Sequence, residues 1–217
     1  MLALQGVKEI IRNSIEEVVK ALDLKDKVRE EIIKSGRDVV RESGYVITSL
    51  HSGNIEEANK HLEIMRDIFV RVWEVSGEFP ELRYSGLMNN IASEYVEAVL
   101  FYGLVTDGRL PSLKELGVTP VQYVQGLLDV VGELKRYVLD KLRNGELNEA
   151  EAFFKVAEAI YESTKALDFP EPVLPGVRRK VDVARSVVES MRALLTDLRS
   201  RSELVRAIEE AKRILGK

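Results

Sequence analysis

The sequence of 217 residues contains no cysteine and only two histidines, His51 and His61. The first absence excludes disulfide bonds, thiolate metal sites and cysteine nucleophiles. With only two histidines, a histidine-based zinc site or a Ser-His-Asp triad is not expected. A metal ion in this protein is therefore expected to be held by carboxylate oxygens.

Long apolar runs are also absent, because no stretch approaches the roughly 20 residues that span a bilayer. Near the N-terminus, Lys8 and Glu9 interrupt the apolar residues before the core of a signal peptide could form. These absences predict a cytoplasmic protein without a membrane partner. With 45% hydrophobic and 31% charged residues, the composition is that of an ordinary globular protein, and we expect one domain over residues 1–217.

The formal net charge of −4 argues against a protein that coats nucleic acid with its whole surface. The charge is nevertheless uneven along the chain. Residues 25–41 hold six basic and four acidic side chains, and residues 176–201 hold seven basic and three acidic ones. A basic face on an acidic body is compatible with nucleic-acid binding, whereas a solvated helix surface of mixed charge explains the same pattern without a ligand.

Apolar residues recur at spacings of three and four almost throughout, and no alternating run bounded by hairpin turns suggests a strand. The pattern predicts an all-α protein, folded as an antiparallel bundle of about seven helices. Thr119 and Pro120 are a favourable N-cap and first helical residue. We expect one or two helices up to Gly53, followed by helices at about 55–75, 82–105, 120–143, 148–167 and 177–215. Residues 111–116 are expected to form a helical turn. In one alternative, the last helix is broken near residue 200.

Two of these helices carry acidic residues in otherwise uncharged surroundings. Glu94 and Glu97 are the only charged residues between positions 84 and 106, and Asp129 and Glu133 are the only ones between 116 and 134. Spacings of three and four residues place each pair on one face of its helix. If the two helices are neighbours, the four carboxylates converge in the interior, where each needs a compensating charge.

Two explanations of this pattern are open at this point. In the first, the four acids hold a hard divalent cation, Mg²⁺ or Mn²⁺, which activates water for attack on a phosphodiester. In the second, they form salt bridges with Arg37, Arg41 or lysines of a packed helix, and their role is structural. A ferritin-like di-iron site is disfavoured, because neither histidine lies in a Glu-x-x-His motif.

Four segments carry a resemblance to a known family. Ser93–Ala98 reads Ser-Glu-Tyr-Val-Glu-Ala, and the run 118–134 contains Val-Thr-Pro-Val-Gln-Tyr followed by Gly-Leu-Leu-Asp and Gly-Glu-Leu. The stretch from Lys34 to His51 and the segment Asp197–Arg201 complete the set, which spans roughly residues 25 to 201. In this order and separation, the segments resemble the translin family, and within it the translin-associated factor X branch.

The resemblance implies an all-helical subunit of a hollow, roughly octameric shell that binds single-stranded RNA and single-stranded DNA. The shell would be built of identical subunits or shared with a translin-like partner. For the factor X branch, the resemblance implies Mg²⁺-dependent cleavage of single-stranded RNA. The acidic positions of that branch fall on Glu94, Glu97, Asp129 and Glu133, which are thus the candidate catalytic and metal-binding residues.

One stretch departs from the translin pattern. Translin-type subunits carry basic and histidine residues where this chain has Met88–Asn90. Cations that contact RNA are therefore expected from Lys34, Arg37 and Arg41 instead. The first hypothesis is a Mg²⁺-dependent endoribonuclease; the alternatives are a non-catalytic single-stranded RNA- or DNA-binding subunit, in which the four acids are structural, and a helical scaffold protein without nucleic-acid binding.

Overall fold

The computed structural model describes residues 2–214 and 216, with side chains from residue 5 onward. Within that part of the chain there are eight helices and no strand, which confirms the predicted all-α class. In chain order the helices are α1 (Leu2–His51), α2 (Ile55–Ser76), α3 (Pro80–Arg83), α4 (Gly86–Asp107), α5 (Leu113–Leu116), α6 (Pro120–Arg143), α7 (Leu147–Thr164) and α8 (Val177–Ile214).

The helix boundaries follow the local capping chemistry. The start of α6 is confirmed, because the Thr119 side chain accepts from the backbone N–H of Gln122 and a proline follows at the first position. The start of α4 differs from the expected Leu82, because Pro80 begins a separate turn and Ser85 then caps α4. Helix α1 is continuous up to His51, and α8 continues without a break through residue 200.

Helices joined by tight turns are antiparallel, as predicted, whereas α4 and α6 run in the same direction. The direction follows from two contacts at opposite ends of the pair. Near both starts, the Gln122 side chain donates to Asn89 at 3.1 Å, and further along, the rings of Phe101 and Tyr137 lie 5.9 Å apart. The connection between α4 and α6 contains α5 and is long enough to return the chain to the starting end. The two carboxylate pairs therefore lie at similar heights in the bundle.

Helix α4 is buried on nearly all sides, as its apolar sequence predicts, and packs against α1, α2 and α6. Two glycines allow the close approach of its neighbours. A Cβ on Gly126 of α6 would lie 2.6 Å from the Val96 Cβ and 2.7 Å from the Ser93 carbonyl oxygen, and one on Gly36 of α1 would meet Ile91 at 2.3 Å. At Gly126 the backbone of α6 approaches the backbone of α4 closely, so the two helices that carry the four acids are in tight contact there.

None of the helices in the described part of the chain combines the length and the apolar character required to cross a membrane. The first part of α1 and the last part of α8 are exposed to solvent, in contrast to the helices of the bundle. Every residue from 5 to 24 is exposed, and exposed residues also predominate from 201 to 214.

Candidate carboxylate site

Three of the four predicted acids line one cleft. Glu94 and Glu97 of α4 face Asp129 of α6 across a cleft of about 610 Å³, just beyond the Gly126 contact between the two helices. The opposite wall is the first part of α8, which contributes Arg179 and Lys180. The predicted convergence of α4 and α6 acids thus applies to these three side chains.

Glu97 is the most buried of the acids, with 8% of its surface exposed. It forms no ion pair with any residue in the described part of the chain. Burial raises the pKa of its carboxyl group, and the negative charges of Asp129, Glu94 and Glu133 raise it further, to about 9. Without a ligand, Glu97 is therefore protonated at neutral pH.

Glu94 lies one turn before Glu97 and is half-buried. Burial raises the pKa of its carboxyl group, and the charge of Asp129 adds to the effect while Lys180 opposes it. The backbone at this position is fixed from the other side, because the buried Ser43 hydroxyl donates to the Glu94 carbonyl at 3.0 Å. This hydrogen bond from α1 thereby fixes the position of Glu94 along the cleft.

Asp129 forms an ion pair with Lys180 of α8. Burial raises the pKa of its carboxyl group, and the hydrogen bond and charge of Lys180 counteract this rise. The salt-bridge explanation thus describes Asp129, whose partner is a lysine of a packed helix, one of the partners that this explanation named. Sequence reasoning did not single out Lys180; the excess of basic residues in 176–201 was the only signal that pointed to it.

Glu133 does not line the cleft. Its carboxylate accepts a hydrogen bond from Nε2 of His51, at 2.7 Å, and it acts on Glu94 and Glu97 only through its charge. The side chain of His51 is 3% exposed, and its Nδ1 has no hydrogen-bond partner among the described residues. His51 is the last residue of α1; its ring packs against Phe101, with 5.2 Å between the ring centroids, and bonds to α6.

Of the three cations predicted on α1, only Arg37 reaches the site. It lines a second cleft of about 570 Å³, which shares Glu94, Asp129 and Lys180 with the first. Arg41 instead pairs with Asp38 at 2.8 Å and lies 3.7 Å from Glu42. Lys34 is exposed and lines neither cleft.

The acidic donors of the first cleft are carboxylate oxygens, the ligand type that hard divalent cations prefer. Three carboxylates line the cleft, and the only ion pair among them in the described residues is that of Asp129 with Lys180. Glu97, the most buried of the three, has no ion-pair partner within residues 2–214 and 216. In that same part of the chain, no three acidic or histidine side chains are grouped closely enough to enclose an ion.

Fold and cleft together define a class of protein: an all-helical bundle in which two parallel helices present carboxylates to a cleft flanked by basic residues. The model of the Translin family matches residues 27–201, and the chain belongs to this family. It is similar to the uncharacterized protein MJ0175 of Methanocaldococcus jannaschii, with 33% identity over 79% of this chain and 77% of that protein. Translin-associated protein X of Pongo abelii is 26% identical over 58% of each chain.

Solved structures of the C3PO type share the fold. The crystal structure of AfC3PO has 33% sequence identity, with a TM-score of 0.80 over 86% of this chain and 97% of that one. A complex of AfC3PO with duplex RNA is 32% identical, with a TM-score of 0.79 over the same shares of the two chains. Apo-NeC3PO, at 23% identity and a TM-score of 0.72 over 82% and 92% of the chains, shows the same fold.

Proposed function

We propose that this protein is a Mg²⁺-dependent endoribonuclease that cleaves single-stranded RNA within an oligomeric assembly of translin-like subunits. The observation that carries the proposal is the set of three carboxylates, Glu94, Glu97 and Asp129, around one cleft with basic residues at its rim. The AfC3PO complex supports RNA as the ligand class, because a protein of the same family and fold binds duplex RNA.

The carboxylates of Glu94, Glu97 and Asp129 would hold the cation, with Mn²⁺ as a substitute for Mg²⁺. When bound, the ion supplies Lewis-acid stabilisation of the phosphate and lowers the pKa of a coordinated water. The protein side chains bind and orient the RNA. Arg179 and Lys180 offer positive charge to a phosphodiester on one side of the cleft, and Arg37 does so on the other.

Glu133 as a further metal ligand stays a prediction, since its carboxylate is bound to His51 and must leave this partner before it can reach the cleft. Glu97 must lose a proton before it coordinates a cation, because carboxylates bind metals in the ionised form. Metal binding at this site is therefore accompanied by proton release at neutral pH.

The second candidate function is a non-catalytic RNA-binding subunit, and the ion pair between Lys180 and Asp129 favours it. In that case the lysine permanently supplies the positive charge that the cleft requires. The two functions differ in one property, which is whether a divalent cation binds in the cleft.

The decisive experiment incubates the full chain with labelled single-stranded RNA and duplex RNA, in Mg²⁺, in Mn²⁺ and in EDTA. Glu97→Gln removes one candidate ligand, and Glu74→Gln, on the exposed surface of α2, is the matched control. We expect cleavage of single strands only, lost in EDTA and lowered about 100-fold or more by Glu97→Gln alone. RNA binding without cleavage under all three conditions would contradict the nuclease and select the binding subunit.

A further inference from the structure

The first part of α1 extends beyond the bundle as an isolated helix, which we call the N-terminal arm and define as residues 5–24. It lies outside residues 27–201, the part of the chain that the family model matches. All of its residues are exposed, and its ion pairs, Arg12 with Glu9 and with Glu16, are internal. The bundle therefore neither covers nor holds the arm.

The arm continues the apolar stripe that α1 buries in the core. Ile32, Val39 and Val46 follow one another at seven-residue spacing, and each is at most 1% exposed. The same register extended towards the N-terminus is interrupted by Lys25, which pairs with Glu81, and then reaches Val18 and Ile11, which are 49% and 57% exposed. A seven-residue apolar repeat is the pattern of a helix that packs against another helix along its length.

The arm exposes a large apolar surface. Its eight apolar residues together expose on the order of 800 Å², whereas monomers expose contiguous apolar patches of only a few hundred Å². Pairing of two arms would bury the part of this surface that lies on the facing sides of the two helices. The eight residues are Val7, Ile10, Ile11, Ile15, Val18, Val19, Leu22 and Leu24.

The other exposed apolar segment, at the end of α8, cannot cover the arm within one chain. The arm joins the bundle beside α3, where Lys25 pairs with Glu81, and α3 lies at the end where α6 begins. The exposed part of α8 continues past the contact of Leu195 with the start of α7, which lies where α6 ends. The 24 residues of α6 separate these two ends by about 36 Å.

We propose that the arm pairs antiparallel with the arm of a second copy of this chain. The charges on one flank of the stripe support this arrangement, because the basic Lys8 and Arg12 lie in its first half and the acidic Glu16 and Asp23 in its second. Antiparallel pairing brings the basic half of each arm beside the acidic half of the other. A membrane surface fits less well, since the arm carries three basic and four acidic residues.

The first test measures the mass of the full chain in solution by sedimentation. Ile11→Glu with Val18→Glu places two charges in the stripe, and the control Gln5→Glu with Asn13→Glu adds the same charge to the polar face. Any assembly through residues 27–201 persists in both variants. We expect the stripe variant to have half the mass of the control, or less, and equal masses for the two variants would overturn the proposal.

The second test uses the absence of cysteine from the native chain, since single introduced cysteines give unambiguous crosslinks. Antiparallel pairing predicts an oxidised dimer of Ile15→Cys, and a crosslink between Val7→Cys and Leu22→Cys when the two variants are mixed. The polar-face variant Asn13→Cys stays monomeric on a denaturing gel. Crosslinking of Val7→Cys to itself, which indicates parallel arms, or no crosslink at position 15 would overturn the proposal.

Discussion

The two carboxylate pairs lie on neighbouring, parallel helices in similarly apolar surroundings, yet their counter-charges differ. Both acids of α6 have a cationic or hydrogen-bonding partner from another helix: Lys180 of α8 binds Asp129, and His51 of α1 binds Glu133. The α4 acids, Glu94 and Glu97, form no ion pair within the described part of the chain. The α6 pair is thus stabilised by partners from other helices, whereas burial raises the pKa of both carboxyl groups of the α4 pair.

The largest expected effect concerns Glu97 and pH. In the unfolded chain its carboxyl group ionises near pH 4.5, and in the folded chain only near pH 9. Between these values folding binds a proton, so rising pH lowers the free energy of unfolding by up to about 1.4 kcal/mol per pH unit. Urea denaturation of the wild type and of Glu97→Gln in EDTA, at pH 5.5 and 8.5, should show the wild type losing stability relative to the variant.

Glu74→Gln serves as the control for this comparison, because it removes an exposed carboxylate and should follow the wild-type profile. Parallel pH profiles for the wild type and Glu97→Gln would mean that Glu97 is already compensated in the folded protein. The contrast between the α4 pair and the α6 pair would then disappear.

The second prediction removes the contact that brings the two pairs together. Gly126→Ala forces a Cβ against Val96 and the Ser93 carbonyl, and should lower the free energy of unfolding by about 1–3 kcal/mol. Gly132→Ala, on the same helix, adds a Cβ that meets no atom within 4 Å and should instead raise the free energy of unfolding by up to about 1 kcal/mol. Thermal unfolding of both variants checks the difference, and equal effects would refute the close packing of α4 on α6.

The third prediction converts Asp129 into an acid like Glu97. Lys180→Met removes its counter-charge and should cost about 1–2 kcal/mol of stability, since the pair is only partly buried. Adding Asp129→Asn should restore part of this loss, which a double-mutant cycle measures directly. Mg²⁺ titration of Lys180→Met by calorimetry should show tighter binding than to the wild type; unchanged binding would show that the lysine does not compete with the cation.

The smallest expected effect is that of Glu133→Gln on RNA cleavage. Because Glu133 lies outside the cleft and binds His51, its loss should lower the cleavage rate by less than about tenfold, against 100-fold or more for Glu97→Gln. Single-turnover cleavage assays of the two variants side by side measure the ratio. A loss as large as that of Glu97→Gln would place Glu133 among the ligands and remove the asymmetry.

The sequence predicted the features that depend on residues close together in the chain, and it missed those that depend on residues far apart in the chain. The helix starts and ends depend on neighbouring residues, so Thr119 with Pro120 and the turn after Arg143 were correctly located. The burial of α4 follows from its almost uncharged sequence. The sequence placed its two acids on one face, but their convergence with the α6 acids was expected only if the two helices are neighbours. Lys180 and His51 are 51 and 82 positions away from the acids they bind, and no local pattern selects them among the other basic residues.

Gly126 is intermediate between the features that the sequence predicted and those that it missed. A glycine in the middle of a helix costs stability, and its presence there is a recognised sign of close packing. That sign could have predicted tight contact on α6, but only the structure identifies α4 as the partner. On α1, Arg37 lines the second cleft, whereas Arg41 is bound to Asp38. Contact of Lys34, Arg37 and Arg41 with RNA stays a prediction.

The proline-rich connection before α8 also decides which basic residue meets Asp129. The Gln125 side chain donates to the Pro175 carbonyl at 2.7 Å, and the next residue, Gly176, turns the chain with a φ of 72° into the first turn of α8. Successive residues of a helix point about 100° apart. Inserting or deleting one residue after Pro175 would rotate Lys180 away from the cleft, so this short loop sets the rotational phase of α8 and with it the charge of the site.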